Sequence, residues 1–236
     1  KSVAGIYNSF LYRRPISRTL DSLDQDMLMA FMEDADLDGR SFDAMMREIS
    51  LQSMIYGHVW VVMDKPAIQV GTRAEELEEG IRPYMSIYTP ENVLDWNYKR
   101  QPNGKYELDY FKVKEAPNKS EQYVREFLLD ETNVYRYNGQ EDKDQATLES
   151  TIPNQLGKIP AICVFSNRSP NRGVGLSPLG DIADAQNQIY NMTSEIIQLI
   201  QLTNHPSLVK TADVEAAAGA GSIIQMPQTL DPGLKP

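Results

Sequence analysis

"GVGLSPLGDIADAQNQIYNMTSEIIQLIQ", residues 173–201, decides how this chain is read. Its first glycines have the look of a phosphate loop, and Ser177 that of a nucleophile turn. Neither pattern completes. The third glycine of a dinucleotide fingerprint falls on Pro178, and no strand–helix–strand unit surrounds the loop. In Gly175-Leu176-Ser177-Pro178-Leu179 the closing glycine of a nucleophile elbow is replaced by Leu179. Ser177 reads instead as an N-cap with Pro178 at the first helical position, an arrangement that starts helices well. In the helix that follows, Ile182, Ala185, Ile189, Met192, Ile196 and Leu199 recur at spacings of 3, 4, 3, 4 and 3, which is a heptad seam. Its other faces carry amides and hydroxyls. Between Asp181 and Asn204 the charges are Asp181, Asp184 and Glu195, all acidic. A solvated helix usually mixes charges in i,i+4 pairs. This one fits either the core helix of a single domain or a rod that packs against copies of itself or a neighbour.

The bulk composition sets the frame. The chain has 236 residues, 41% apolar and 24% charged, enough to bury a core in one large domain or two smaller ones. The longest apolar runs, such as Val59 to Met63, are strand-sized, too short for a membrane span. The first residues, KSVAGIYNSFLYRRP, lack the basic-then-apolar order of a signal peptide. No initiating Met is present and the chain closes on LDPGLKP, so a piece of a longer protein is expected. Cys163 is the single cysteine, which excludes an internal disulfide and a cysteine metal cluster and points to a reducing compartment. The net charge of −10 argues against a general phosphate-binding surface.

Outward from the opening stretch, periodicity divides the chain into helices, then strands, then the long helix. DSLDQDMLMAFMED (21–34) spaces Leu23, Met27, Leu28, Phe31 and Met32 as a helix behind an acidic start of Asp21, Asp24 and Asp26. SFDAMMREISLQSMIYG (41–57) predicts a second helix, N-capped by Ser41 and stopped by Gly57. Its expected apolar stripe is Phe42, Met45, Met46, Ile49 and Ile55. HVWVVMD (58–64) reads as a buried strand, and GTRAEELEEGIR (71–82) as an exposed charged insertion. PYMSIYT is a short strand, PENVL a turn or one-turn helix, and VLDWNYK and KYELDYFKVK two strands joined through Asn103-Gly104. YVREFLL and NVYRYNG form a further pair, GQEDKDQATLES (139–150) a polar loop tip, and KIPAICVFSN (158–167) a last apolar strand. VEAAAGAGS (214–222) reads as a flexible connection before a strand at IIQM. The fold class is α+β with mostly antiparallel strands.

Two further signals invite chemical readings. Asp34-Ala-Asp36-Leu-Asp38-Gly39 matches the first half of an EF-hand calcium loop, but Met45 stands where the bidentate glutamate belongs and Ser41 where an apolar residue does. An acidic turn whose Ser41 caps the next helix is the stronger reading. A calcium-binding protein or metal-dependent enzyme using Asp34–Asp38 is the alternative. His58 and His205 belong to no ligand-spaced cluster and read as structural. An unrelated α+β interaction module is the third possibility.

The order of these motifs resembles the portal proteins of tailed bacteriophages. Asp36 to Ser41 is similar to that family's "D-x-D-x-x-G-x-S" turn, and Gly57 to Pro66 to its "G-x-x-x-V-V-x-D-x-P" strand. RPYMSIYTPENVLDW (82–96) resembles its arginine-proline strand and "dW" motif. KIPAICVFSN and GLSPLGDIADAQNQIYNMTSEI resemble its "iP" strand, glycine-serine-proline-leucine turn and long helix. The resemblance implies a wing-like α+β domain over 1–172, a stem-like helix with its start turn over 173–206, and the beginning of a clip-like segment over 207–236. It implies a structural, non-enzymatic subunit without metal or cofactor, assembled in the host cytoplasm as a ring, a dodecamer in this family, at one capsid vertex of the virion. The implied partners are other copies, the terminase large subunit, the major capsid and scaffolding proteins, a head-completion adaptor, and double-stranded DNA passing without sequence-specific binding; no membrane is involved. On that footing Ile182, Ala185, Ile189, Met192, Ile196 and Leu199 become a subunit-packing seam, and Asp184 and Glu195 an acidic channel side that does not grip phosphates.

Overall fold

The computed structural model describes residues 2–18, 25–66, 68, 71–72, 75–76, 79–115, 121–138, 146–204, 208–211 and 223–226. The chain divides into two compact units, Lys1–Gly180 and Asp181–Pro236. In the first, α1 (Ser2–Leu11), α2 (Gln25–Glu33) and α3 (Phe42–Tyr56) precede a three-stranded antiparallel sheet of β1 (His58–Asp64), β2 (Tyr84–Tyr88) and β8 (Ala161–Phe165) in the order β2-β1-β8. Between β2 and β8 the chain makes a 3-10 turn (Pro90–Asn92) and a five-stranded antiparallel meander: β3 (Val93–Arg100), β4 (Tyr106–Glu115), β5 (Glu121–Phe127), β6 (Glu131–Asn138) and β7 (Ala146–Pro153). A small ribbon of β9 (Asn167–Arg168) and β10 (Gly175–Leu176) completes this unit. The second unit holds α4 (Gly180–Asn204) and a parallel pair, β11 (Leu208–Thr211) and β12 (Ile223–Met226).

The sequence of β1 explains why it is central. An apolar strand without alternation must be covered on both faces. Trp60 and Val62 point to one side and join Tyr88, Val93, Phe111, Val113, Phe127 and Ile159 in a core against the meander. Val59 points to the other and packs with Ala35, Met45, Ile49 and Met85 beneath α3. Trp60 lies 4.6 Å from Phe111 and 6.0 Å from Trp96, ring centre to ring centre. β1 is thus the shared wall of two cores.

One charged group crosses between the sheets. Arg125 on β5 is buried and ion-pairs with Asp64, at the end of β1, and at 3.3 Å with Glu115 on β4. Tyr84 donates a hydrogen bond to Asp64 at 3.2 Å, and Tyr88 donates one to Glu115. Burial and the Glu115 charge push the Tyr88 phenol far above its ordinary range, so it stays a donor.

Most sequence-predicted elements are present, and the exceptions have physical reasons. Ile55 is exposed because it lies off the α3 stripe; Ser53 is buried in its place. The expected exposed insertion ends in two anchored residues, since Ile81 is buried and Arg82 pairs with Asp34 at 2.7 Å. The expected loop tip contains β7 from Ala146 onward, an edge strand whose threonines favour extended backbone without an apolar alternation to announce it. Residues 139–145 of that stretch, Asp21, Asp24, Leu23, His205 and the 214–222 connection lie outside the described residues. Helix α4 starts at Gly180, two residues later than a cap at Ser177 implies.

Removing the buried cation leaves two carboxylates without their partner. Arg125→Ala is expected to lower the unfolding free energy by about 3–5 kcal/mol, read by chemical denaturation, whereas Glu149→Ala on the exposed edge strand should change it by less than about 0.5 kcal/mol.

Candidate functional site

The turn that carries the calcium-like pattern ties two of its three aspartates into the protein. Asp34 accepts a hydrogen bond from the Gly39 amide at 2.9 Å and pairs with Arg82. Asp36 accepts from the Asp38 and Arg40 amides, both at 3.0 Å, and pairs with Arg40. Burial acts to raise the Asp36 carboxyl, but the two amides and the Arg40 charge outweigh it and hold the group below its ordinary value. Gly39 takes φ of 88° to close the turn, and Ser41 then accepts from the Ala44 amide at 3.3 Å to cap α3. Among the described residues no three His, Cys, Asp or Glu side chains gather as metal ligands. The turn is a structural corner, and the calcium reading has no support.

The glycines around the opening stretch have a different use. Gly57, at the end of α3 with φ of 87°, and Gly175, in β10, touch backbone to backbone. A Cβ on Gly175 would stand 2.2 Å from the Gly57 carbonyl oxygen, and one on Gly57 would stand 2.5 Å from that of Gly175. Both distances are sterically forbidden. Gly173, with φ of 77°, lies so close to the Trp96 ring that a Cβ would stand 2.3 Å from its Nε1, and that Nε1 donates to the Arg172 carbonyl at 3.2 Å. Ser177 donates to the Met54 carbonyl at 2.7 Å and accepts from the Leu179 amide at 3.1 Å. It therefore caps a turn and ties it to the end of α3, rather than capping α4 directly.

The remaining reactive-looking groups are structural too. His58 is buried beside this crossing, hydrogen-bonded by the Gly175 backbone, and burial lowers its imidazole below 6.5. The Cys163 thiol donates weakly to the Gly173 carbonyl at 3.6 Å, and burial pushes it up to about 12, so it is not a thiolate nucleophile.

Helix α4 remains the outstanding surface. None of its residues is buried. Ile182, Ile189, Met192, Ile196 and Leu199 are each half exposed or more, and Ala185, Asp184 and Glu195 are exposed as well. A second row was not read from the sequence. Tyr190, Thr193, Ile197 and Ile200 also fall at spacings of 3, 4 and 3, beside the first seam, with Tyr190 68% and Ile197 51% exposed. The polar arc opposite holds Asp184, Asn187, Asn191, Ser194, Glu195 and Gln198. No helix among the described residues is long and apolar enough to cross a membrane.

A family profile for phage portal proteins, SPP1 Gp6-like, matches residues 1–213. The chain belongs to the phage portal protein family. That family is structural, and it places the protein in the virion at the capsid vertex. No curated protein sequence matches the chain. Residues of the motifs that resemble the family's serve as anchors in the folded first unit: Gly57 and Gly175 join two of the motifs directly, while Arg82 pairs with Asp34, Asp64 with Arg125, and Trp96 packs on Gly173.

Two expectations follow. Gly175→Ala and Gly57→Ala each force backbone apart and should cost more than about 3 kcal/mol, whereas Gly5→Ala in α1, with open space around it, should stabilise by about 0.5–1 kcal/mol. Because the folded His58 imidazole titrates below 6.5, its stabilising contribution is complete above pH 6.5 and is lost as pH falls through the lowered folded value. Unfolding free energy measured from pH 7.5 to 5 should fall, and the slope should flatten in His58→Gln.

Proposed function

We propose that the chain is the subunit of a closed portal ring, a dodecamer, whose α4 helices pack side by side around a channel through which double-stranded DNA is packaged and ejected. In this reading residues 1–172 form the wing, 173–206 the stem helix with its start turn, and 207–236 the beginning of the clip. The observation that carries it is the bare apolar surface of α4. Burying one large apolar side chain stabilises by about 1.5–3 kcal/mol, so a helix with this many exposed isoleucines, leucines and methionines is incomplete alone. Two adjacent heptad rows fit a helix with two neighbours, as in a head-to-tail ring, better than one strand of a two-stranded coil, which needs a single seam.

The polar arc supports the channel. With Asp184 and Glu195 as its charges and no Lys or Arg, the arc offers phosphates nothing to hold, and DNA slides past a mildly repulsive wall. Assembly in the host cytoplasm, docking of the terminase large subunit and later of a head-completion adaptor, and contact with the major capsid and scaffolding proteins belong to the same proposal.

Native mass spectrometry or negative-stain microscopy of the full-length chain should show rings. Ile189→Asp/Ile196→Asp should leave dispersed subunits, and intact rings in that double variant would overturn the role of the seam. Asp184→Lys/Glu195→Lys should form rings but slow DNA transit; unchanged packaging and ejection rates would contradict the acidic channel side.

A further inference from the structure

Two surfaces of the first unit lie toward opposite edges of the three-stranded sheet, whose order is β2-β1-β8. Beside β2 runs an open groove of about 740 Å³, lined by the whole strand from Tyr84 to Tyr88 and by Asp38, Glu48 and Lys114. The Met63 amide points away from β2, donating to the Pro160 carbonyl at 2.9 Å, and its partner Met85 points away from β1, donating to the Ala35 carbonyl at 2.7 Å. Antiparallel pairs alternate, so Ile87, two residues on, also turns its backbone N–H and C=O outward toward the groove. Asp36 and Glu115 in the lining are paired with Arg40 and Arg125. Among the described residues Asp38 and Glu48 have no cationic partner, against the single unpaired amine of Lys114.

On the side of β8 the charge is reversed. The loop that follows β8 carries Arg168 and Arg172 across the end of the β3–β4 hairpin, held there by Gly173 on Trp96. The Arg172 guanidinium stacks 3.5 Å from the centre of the Tyr106 ring, Arg100 approaches the same ring at 5.9 Å, and Arg168 lies 6.0 Å from Phe165. The charges of Arg168 and Arg172 also reach Tyr98. All three arginines are exposed, and none has a carboxylate partner among the described residues, although the chain holds 33 acidic residues against 23 basic ones. Guanidinium faces occupied by aromatic rings leave the N–H edges outward, the fork that meets a carboxylate in bidentate fashion.

We propose that these surfaces are the two halves of one contact between neighbouring copies: Arg100 and Arg172 of one subunit dock beside β2 of the next, meeting Asp38 and Glu48. The inference rests on the ring reading above and names the contact for it. A surplus cation on one edge and a surplus anion on the other make a heterologous, self-repeating joint, which closes into a ring when the rotation allows. Phosphates also suit arginine forks, but a net charge of −10 disfavours nucleic acid as the occupant and supplies carboxylates in its place.

The test compares four forms of the full-length chain by native mass spectrometry: wild type, R100E/R172E, D38K/E48K and the combined fourfold variant. Each charge-reversed pair should lower the ring fraction by about tenfold at roughly 100 mM salt. The fourfold variant, with both halves exchanged, should regain rings. Melting temperatures equal to wild type show that the variants are folded. Unaltered rings in either pair, or a folded fourfold variant that does not recover, would overturn the contact. So would intact rings in R100E/R172E with loss of duplex DNA retention, which assigns the cluster to phosphates. Wild-type chains that never form rings would remove the ring reading itself, a result distinct from the other three.

Discussion

The first unit depends on two backbones that cross with no side chain between them. At Gly57 the helix α3 must stop, turn with positive φ and hand the chain to β1; at Gly175 the returning ribbon presses on the same point. Any Cβ at either position would stand at 2.2–2.5 Å from a carbonyl oxygen, so only glycine permits the approach. The crossing brings the end of α3, the start of β1, the imidazole of His58 and the turn of Ser177 into one small volume. A glycine-rich loop is often taken as a sign of phosphate chemistry. Here the absent side chains serve packing.

Around that crossing the sheets are fixed by a second constraint, the buried Arg125. A charge out of water is tolerated only when its partners are in place, and here they come from β1 and β4, with tyrosines of β2 completing the shell. Asp64, Trp96 and Arg82 resemble family motif residues, and each has a physical explanation in these contacts. They hold separate elements together.

What could be read from the sequence was what local pattern determines. Ser41 and Gly57 bound α3, Asn103-Gly104 turns β3 into β4, and the unbroken apolar run of β1 announced a strand covered on both faces. What could not be read depended on distant partners. Ile81 and Arg82 are anchored by residues far away in sequence, and β7 is a strand because β6 lies beside it. The sequence predicts Ser177 as the cap of α4; its hydroxyl does accept from the Leu179 amide while donating to the Met54 carbonyl, but the residues it caps form a turn and the helix begins at Gly180. The heptad seam of α4 was visible as a period, whereas the neighbouring row of Tyr190, Ile197 and Ile200 became evident only when their exposure was known.

The proposed ring would cover the apolar rows that helix α4, with none of its residues buried, leaves bare. The most direct measurement is thiol labelling at Met192→Cys in a Cys163→Ser background, comparing dispersed subunits with assembled rings of the full-length protein. Rapid labelling of subunits and protection by about tenfold or more in rings is the expected result. Equal labelling rates in both states would mean that the helix stays bare in the ring, and would contradict the account at its centre.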